Sequence, residues 1–315
     1  MKVNVVICTH NRSDMLADTL SSWLDMSKPM PACGVEVELI VIDNASTDDT
    51  PDVVSACEDA IYHFESTPGL SHARNAGIAK ADGELVAFVD DDIYFEKSWL
   101  LEVLAAFESH PEIDCLGGQS IPHFETNAPD WFGADAAKFY GSTSSGQEAH
   151  RMEYPEHPFG VNMVFRKKVF QEVGGFDPDL GRIGQSLLSN EEKDFFYRAK
   201  LEGCVVQYWP SAIIHHRIPA ERVSRSWLLE RSYWQGISDV VFDRIVCQPS
   251  RTTLLKKSLT SAFAVVRAQK RTIAKKLTNS SLRHQFVEQL QRERQRGILC
   301  QSLREVLSKG SNAAS

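Results

Sequence analysis

The chain contains no apolar run long enough to cross a membrane. Its first residues pass directly into a strand-like pattern, so we expect no signal peptide. Its seven cysteines are odd in number and scattered, and no two are spaced as C-x-x-C. This usage disfavours a disulfide framework or a zinc site and fits reduced thiols. We therefore expect a cytoplasmic protein, either soluble or held peripherally at the inner face of the plasma membrane.

Two glycine-rich signatures of phosphate binding are also missing. No G-x-G-x-x-G follows the first strand-like segment, and no G-x-x-x-x-G-K-S/T occurs anywhere in the chain. The dinucleotide and P-loop modes of binding are therefore disfavoured.

Charge is unevenly distributed along the chain. The formal net charge is −8, yet residues 251–315 contain 14 basic and 3 acidic residues, whereas residues 1–250 contain 20 basic and 39 acidic ones. The acidic body argues against nucleic-acid binding. The basic C-terminal segment is compatible with contact with anionic lipid, polyphosphate or a protein partner.

The N-terminal part alternates short β-branched runs with helix-like stretches, which is typical of βαβ units around a largely parallel sheet. The predicted strands are residues 3–8, 37–42, 60–64 and 85–89. The predicted helices are residues 13–26, a stretch that starts at Thr50, a stretch from Gly69 to Gly83, and residues 99–108. Ser13 and Asp14 are the predicted caps of the first helix. The strand at 85–89 is almost wholly apolar, so we expect it at the centre of the sheet, covered on both faces.

The pattern changes after residue 108. We predict strands at 115–121, 160–165, 205–209 and 212–216, and helices at 167–173 and 190–202, the second ending at Gly203. Residues 122–154 are rich in Pro, Gly, Ser and aromatic side chains, which is typical of a functional or mobile segment. From residue 226 the chain is mostly helical. We therefore expect an α/β domain over 1–225 and a helical, basic extension over 226–315.

Polar side chains cluster at the ends of three predicted strands. Residues 9–12, 43–48 and 90–92 each follow a strand. Because the carboxyl ends of neighbouring parallel strands line one crevice, where such sheets bind ligands, we expect the three clusters to converge on one pocket. The alternative is that all three are ordinary loop-forming residues.

Three consecutive carboxylates, Asp90, Asp91 and Asp92, follow the apolar strand. Their mutual repulsion favours a bound cation, and their hard oxygen atoms suit Mg²⁺ or Mn²⁺ carrying a phosphate-bearing substrate. An acidic turn or a helix N-terminus is the alternative. A nucleotide would explain the polar clusters together, since Asp43 can accept hydrogen bonds from a base edge and Arg74 can lie beside phosphates or the base. Asp90 would then bind ribose hydroxyls and Asp92 the cation. An ordinary turn former and a solvated helix face are the alternatives for Asp43 and Arg74.

These motifs resemble the inverting family 2 glycosyltransferases, whose fold is called GT-A. The resemblance covers most of residues 3–223. The matching segments are V-V-I-C-T-H-N-R at 5–12, V-I-D-N-A-S-T-D at 41–48, G-L-S-H-A-R-N-A-G at 69–77, F-V-D-D-D at 88–92, G-V-N-M-V-F at 160–165, G-G-F-D-P-D-L-G at 174–181, N-E-E-K-D-F at 190–195 and H-R-I-P-A-E-R at 216–222. The resemblance implies a Rossmann-like α/β fold, with a mixed, mostly parallel sheet flanked by helices and followed by the helical extension.

The resemblance also implies roles for individual residues. Glu192 stands where the family has its general base, a position more often held by aspartate; Glu191 is the rival, and helix capping by both is the alternative. Asp92 and His216 would hold the metal, with His216 favoured over His215. The remaining implied roles are nucleotide-sugar binding by Thr9, Asn11, Arg12, Asp43, Arg74, Asp90, Asp91 and Arg222, and contact with the donor sugar or the acceptor by Asn162, Glu191 and Asp194.

The implied activity is metal-dependent transfer of a sugar, with inversion, from a nucleoside diphosphate sugar to a hydroxyl group. UDP is the expected nucleotide, and the expected acceptor is a glycan or a lipid-linked sugar in surface polysaccharide or glycolipid synthesis. A sugar-phosphate nucleotidyltransferase is an alternative, disfavoured because residues 9–12 lack glycine. A catalytically silent nucleotide-sugar-binding module is another, disfavoured because no key acid is lost.

The basic extension has an apolar periodicity of its own. Leu254, Leu255, Leu259, Phe263 and Val266 recur at helical spacing among lysines and arginines. This pattern predicts an amphipathic helix, either on a membrane surface that carries lipid-linked acceptors or packed on the catalytic domain with a solvated basic face.

Overall fold

The computed structural model describes residues 1–28, 34–143, 146–184, 186–277 and 282–311. The chain forms two compact units. The first comprises Met1–His123, Tyr140–Gly184 and Glu191–Ile218, and the second comprises Phe124–Phe139, Gln185–Asn190 and Pro219–Ser315. The second unit includes two short segments, Phe124–Phe139 and Gln185–Asn190, that precede residue 225 in the chain. The predicted domain boundary between residues 225 and 226 stays a prediction.

Over the described residues, nine strands form one mixed sheet. They are β1 (Lys2–Thr9), β2 (Glu36–Asp43), β3 (Ala60–Phe64), β4 (Leu85–Asp90), β5 (Ile93–Phe95), β6 (Cys115–Phe124), β7 (His150–Arg151), β8 (Asn162–Arg166) and β9 (Val206–Ile218). The order is β3-β2-β1-β4-β8-β6-β9-β5, with β7 paired to β9. The first four strands are parallel, and β8 joins β4 in the antiparallel sense. The predicted fold class and the central place of β4 are confirmed.

The helices follow the predicted order, except for the short α5, which the sequence did not predict. They are α1 (Ser13–Ser27), α2 (Thr50–Ser55), α3 (Leu70–Lys80), α4 (Trp99–Ser109), α5 (Ala134–Ala137), α6 (Val169–Glu172), α7 (Glu191–Leu201), α8 (Arg225–Cys247), α9 (Arg251–Leu277) and α10 (Leu282–Ser311). In the described part of the chain, no helix combines the length and apolarity needed to cross a lipid bilayer.

Apolar side chains cover both faces of the first unit's sheet, because successive side chains on a strand point to opposite sides. On one face Val5 and Ile7 pack in a core that includes Leu16 of α1 and Val103 of α4. On the other face Val6 packs in a second core, with aromatic side chains from α6 and α7. The buried middle of the sheet therefore holds its polar strand ends in fixed positions.

Several predicted boundaries were wrong. Ser13 and Asp14 do not cap α1, whose N-cap is Arg12 with no side-chain bond. Helix α3 ends at Lys80, well before Gly83. The two strands predicted at 205–209 and 212–216 are one strand, β9, because residues on either side of Pro210 pair with β7 and β5.

In the second unit, α10 packs against both α8 and α9. Two glycines allow α8 and α10 to approach closely. A β-carbon at Gly236 would lie 2.0 Å from the carbonyl oxygen of Arg294, and one at Gly297 would lie 1.9 Å from that of Tyr233. Contact between the two backbones therefore depends on residues without side chains.

Candidate active site

The strand register brings the three predicted polar clusters to one edge of the sheet. Thr9 lies opposite Asp43 in the parallel pairing of β1 with β2. Cys8 lies opposite Asp90 in the pairing of β1 with β4. The side chains that follow these positions meet at the carboxyl ends of β1, β2 and β4, as the sequence predicted.

Asp43 is fully buried at the end of β2, and protein groups hold both of its carboxylate oxygens. Tyr62 Oη donates to Asp43 Oδ2 at 2.7 Å, and the backbone N–H of Ser46 donates to Oδ1 at 2.9 Å. Burial and the neighbouring carboxylate raise the pKa of Tyr62 to about 12, so the phenol stays a donor at neutral pH. Contact between Asp43 and a nucleotide base stays a prediction.

Two asparagines tie the loops of this edge together. Asn44 Oδ1 accepts a hydrogen bond from Gly69 N at 2.7 Å, and Asn44 Nδ2 donates to the carbonyl of Thr67 at 2.7 Å. Asn11 is exposed, and its Oδ1 accepts from Thr47 N at 2.7 Å. Sequence reasoning did not single out Asn44, because the partner that defines its role is 25 residues away.

Asp91 is almost fully buried and is braced by other side chains. Thr9 Oγ1 donates to Asp91 Oδ2 at 2.7 Å, Arg12 Nη1 donates to Oδ1, and Thr19 Oγ1 donates to the Asp91 carbonyl at 2.9 Å. Burial raises the pKa of Asp91 to about 6, although Arg12 acts in the opposite direction. Asp91 therefore anchors the edge of the site, and its contact with a nucleotide sugar stays a prediction.

Asp90, Asp92 and His216 form a cluster of potential metal ligands. One ligand atom from each lies within 4.8 Å of the other two. His216 Nε2 lies 3.2 Å from Asp92 Oδ1, and Arg12 Nη2 donates to Asp92 Oδ2 at 2.5 Å. His216 Nδ1 donates to the carbonyl of Tyr140 at 2.6 Å, which fixes the ring and directs Nε2 toward the aspartates.

Strand β5, which the sequence did not predict, explains how His216 reaches the aspartates. It pairs with β9 so that Ile93, directly after Asp92, lies opposite His216. Since side chains alternate along a strand, His215 points to the other face, where its Nε2 lies 3.1 Å from Glu96 Oε2. His216 therefore faces the aspartates and His215 does not, and the role of His216 as a metal ligand stays a prediction.

The cluster fits a hard divalent cation. Two carboxylates and an imidazole nitrogen are a donor set that Mn²⁺ accepts, and Mg²⁺ accepts the carboxylates. Burial and the nearby Asp92 raise the pKa of Asp90, the direction expected for like charges held together. A cation bound here would relieve that repulsion.

Arg74 connects α3 to two glutamates at the start of α7. It is only 3% exposed, and its guanidinium lies 5.2 Å from the ring centre of Phe176. Arg74 Nη1 donates to Glu191 Oε1 at 3.1 Å, and Arg74 Nη2 donates to Glu192 Oε1 at 3.2 Å. Arg74 thus bridges the two candidate bases, and its contact with a nucleotide stays a prediction.

The two glutamates differ in their protonation. Burial and the charge of Glu192 raise the pKa of Glu191 to about 7, against the opposing effect of Arg74. The pKa of Glu192 is lowered: burial acts against ionisation, but Arg74 and a backbone hydrogen bond outweigh it. Glu192 is also the more accessible, with its side chain 17% exposed against 4% for Glu191. Such a separation of two adjacent carboxyl groups is typical of acid–base sites.

Gly160 borders this trio, a role that sequence reasoning missed. A β-carbon at Gly160 would lie 2.1 Å from Arg74 Nη2 and 2.3 Å from Glu192 Oε1. The absence of a side chain therefore leaves room for the ion pair. The glycine stood in a recognised segment, but only the folded chain brings it to Arg74.

Two predicted pocket residues are buried and already bonded. Asn162 Nδ2 donates to the carbonyl of Ala212 at 2.9 Å, and Asn162 Oδ1 accepts from Trp99 Nε1 at 3.0 Å. Asp194 accepts from Arg198 Nε at 2.9 Å. The Asn162 bonds join β8 to β9 and α4, and the Asp194 bond lies within α7. Contact with a sugar stays a prediction for both residues.

Arg222 belongs to the second unit. It ends the short 3₁₀ turn Ala220–Arg222, and its guanidinium lies 6.0 Å from the ring centre of Trp227. Its predicted contact with a pyrophosphate stays a prediction.

Known proteins resemble this chain in sequence. Residues 4–174 match the family described as glycosyl transferase family 2. A glucosyl-dolichyl phosphate glucuronosyltransferase from Haloferax volcanii is 30% identical over 256 residues, which cover 79% of this chain and 80% of the relative. The succinoglycan biosynthesis protein ExoM of Rhizobium meliloti is 25% identical over 242 residues, or 75% of this chain and 73% of ExoM.

Solved structures resemble it in fold. The mannosyltransferase PcManGT from Pyrobaculum calidifontis, in complex with GDP-Man and Mn²⁺, superposes with a TM-score of 0.56 at 15% identity, covering 99% of this chain and 76% of PcManGT. Residues 1–349 of S. aureus TarS in complex with UDP-GlcNAc give a TM-score of 0.54 at 19% identity, covering 97% and 92% of the two chains.

These matches agree with the resemblance inferred from the motifs and do not favour a sugar-phosphate nucleotidyltransferase or a silent binding module. The chain belongs to glycosyl transferase family 2, and it is a glycosyltransferase with the GT-A fold.

Proposed function

We propose that this glycosyltransferase uses Glu192 as the general base in an inverting transfer from a UDP-sugar to a hydroxyl acceptor. The observation that carries the proposal is the bridge from Arg74 to Glu191 and Glu192, which leaves one carboxylate ionised and accessible. Direct displacement at an anomeric carbon needs such a carboxylate to accept the proton of the attacking hydroxyl.

Glu192 suits this role better than Glu191. Its lowered pKa keeps it ionised at neutral pH, and part of its side chain is exposed. Glu191 is nearly buried, and its pKa of about 7 leaves it partly protonated there. In this proposal Glu191 holds Arg74, and Arg74 holds Glu192 in its orientation.

The metal would be held by Asp90, Asp92 and His216. When bound, Mg²⁺ or Mn²⁺ would neutralise charge that develops on the departing diphosphate. We propose the remaining predicted nucleotide-sugar contacts around it: Thr9, Asn11, Arg12, Asp43, Arg74, Asp91 and Arg222. Asn162 and Asp194 stay proposed neighbours of the sugar or the acceptor.

We further propose UDP as the nucleotide and a lipid-linked glycan as the acceptor. The name of the Haloferax volcanii relative, a glucosyl-dolichyl phosphate glucuronosyltransferase, supports the acceptor class. The UDP-GlcNAc complex of TarS, which shares the fold, supports the nucleotide. This acceptor class would place the enzyme at the cytoplasmic face of the membrane, in surface glycan assembly.

A panel of nucleotide sugars with Mn²⁺ and lipid-linked glycan acceptors tests the proposal. We expect the release of a nucleoside diphosphate that stops on chelation of the metal, resumes when Mn²⁺ is restored, and falls by about 10² to 10⁴-fold in Glu192→Gln. The matched control is Glu202→Gln, an exposed glutamate just after α7. Full activity of Glu192→Gln would assign the base elsewhere. Pyrophosphate formed from a nucleoside triphosphate and a sugar phosphate would overturn transfer itself.

A further inference from the structure

Helix α9 carries an exposed apolar stripe on the second unit. Leu255, Leu259, Phe263 and Val266 are 41%, 61%, 74% and 54% exposed. At 100° per residue these four positions fall within about 80° of arc on the helix. Large apolar side chains this exposed, aligned on one face, mark a surface that contacts something other than water.

The opposite side of α9 is occupied by its own unit. Leu254 and Ala268 are buried there, and Leu254 packs with Val240 of α8 and with Ile298 and Val306 of α10. The helix is therefore held in the fold by one face. The stripe is a second apolar face that this packing does not use.

The charged residues that α9 itself contributes beside the stripe have one sign. Residues 251–271 contain six basic residues and no acidic residue. Lys256, Arg267, Lys270 and Arg271 are exposed, and the first two follow the edge of the stripe. The Lys257 ammonium is paired with Asp243, so it is not part of this surface.

We propose that the α9 stripe inserts into the interface of a lipid bilayer that contains anionic lipid. An exposed row of Leu, Phe and Val bordered by lysine and arginine suits the acyl region of the interface and the anionic headgroups beside it. A second copy of this chain is the less suitable occupant, because two copies meeting through this face would bring the same positive charges together. The proposal does not depend on the identity of the donor or the acceptor.

Vesicle flotation with the full chain tests this inference without any substrate. We expect binding to vesicles of phosphatidylcholine and phosphatidylglycerol, little binding to phosphatidylcholine alone, and weaker binding as salt rises. The double variant Leu259→Ser/Phe263→Ser should bind about a hundredfold more weakly, roughly tenfold for each large apolar side chain lost. Lys256→Gln/Arg267→Gln should lose the preference for anionic vesicles.

The matched control is Leu201→Ser/Phe64→Ser, which removes a leucine and a phenylalanine that are 65% and 58% exposed on the first unit. We expect this control to bind vesicles as the wild type does. Circular dichroism checks that all three double variants keep their helix content. The inference is overturned if the wild-type chain does not float with anionic vesicles, or if Leu259→Ser/Phe263→Ser binds as well as the control Leu201→Ser/Phe64→Ser. It is also overturned if light scattering shows a dimer that Leu259→Ser/Phe263→Ser dissociates.

Discussion

Replacing Glu191 by glutamine tests the division of charge between the two glutamates. Glutamine has the shape of a protonated glutamate and cannot ionise, so it mimics Glu191 below its pKa. Glu191 is nearly buried, and its pKa of about 7 lies well above its ordinary value of 4.5. The folded protein therefore keeps a proton on Glu191 at pH values where the unfolded chain has lost it.

The sign of the pH effect follows from this difference. Below pH 4.5 both states are protonated, and Glu191 contributes nothing to the pH dependence. Between pH 4.5 and 7 only the folded state holds the proton, so the free energy of unfolding falls as pH rises. With 1.36 kcal/mol per pKa unit, the wild type should lose about 2 to 3 kcal/mol from this group between pH 5 and pH 8. Glu191→Gln removes that loss.

Urea unfolding at pH 5, 6, 7 and 8 measures the effect. The stability of Glu191→Gln relative to the wild type should rise across this range by the amount given above. Asp91, whose pKa of about 6 falls in the same window, is present in both proteins and cancels in the comparison. Glu202→Gln, at an exposed position, is the control and should follow the wild type. Parallel pH curves for Glu191→Gln and the wild type would refute the reasoning.

The remaining predictions concern two glycines, Gly160 and Gly236, that other atoms approach closely. Gly160→Ala would place a β-carbon 2.1 Å from Arg74 Nη2 and 2.3 Å from Glu192 Oε1. We expect kcat to fall at least about tenfold because the proposed base moves, with a smaller effect on stability; an unchanged kcat in steady-state assays would contradict this. Gly236→Ala would place a β-carbon 2.0 Å from the carbonyl of Arg294 and force α8 away from α10. Its expected cost is about 1 to 3 kcal/mol in urea unfolding, and a loss below about 0.5 kcal/mol would mean that the helices separate easily.

Features that depend on the pattern of neighbouring residues could be predicted from the sequence. The apolar run before Asp90 predicted a central strand. The polar residues after three strands predicted that their side chains meet at one edge of the sheet. Strand β5 was not predictable, because three residues carry too little periodicity to be recognised. Without it, the contact between His216 and Asp92 rested on resemblance alone.

The sequence by itself determined most of the order of strands and helices, the polar strand ends and the family, because these depend on neighbouring residues and on ordered motifs; the short elements β5, β7 and α5 were not among them. Only the tertiary structure decided which acidic and basic side chains form ion pairs. Arg74 lies 117 residues from Glu191, and Arg12 lies 79 residues from Asp91. Burial and charge at such contacts set the pKa values of Glu191 and Glu192 in opposite directions, although the two residues are adjacent and chemically identical in the sequence.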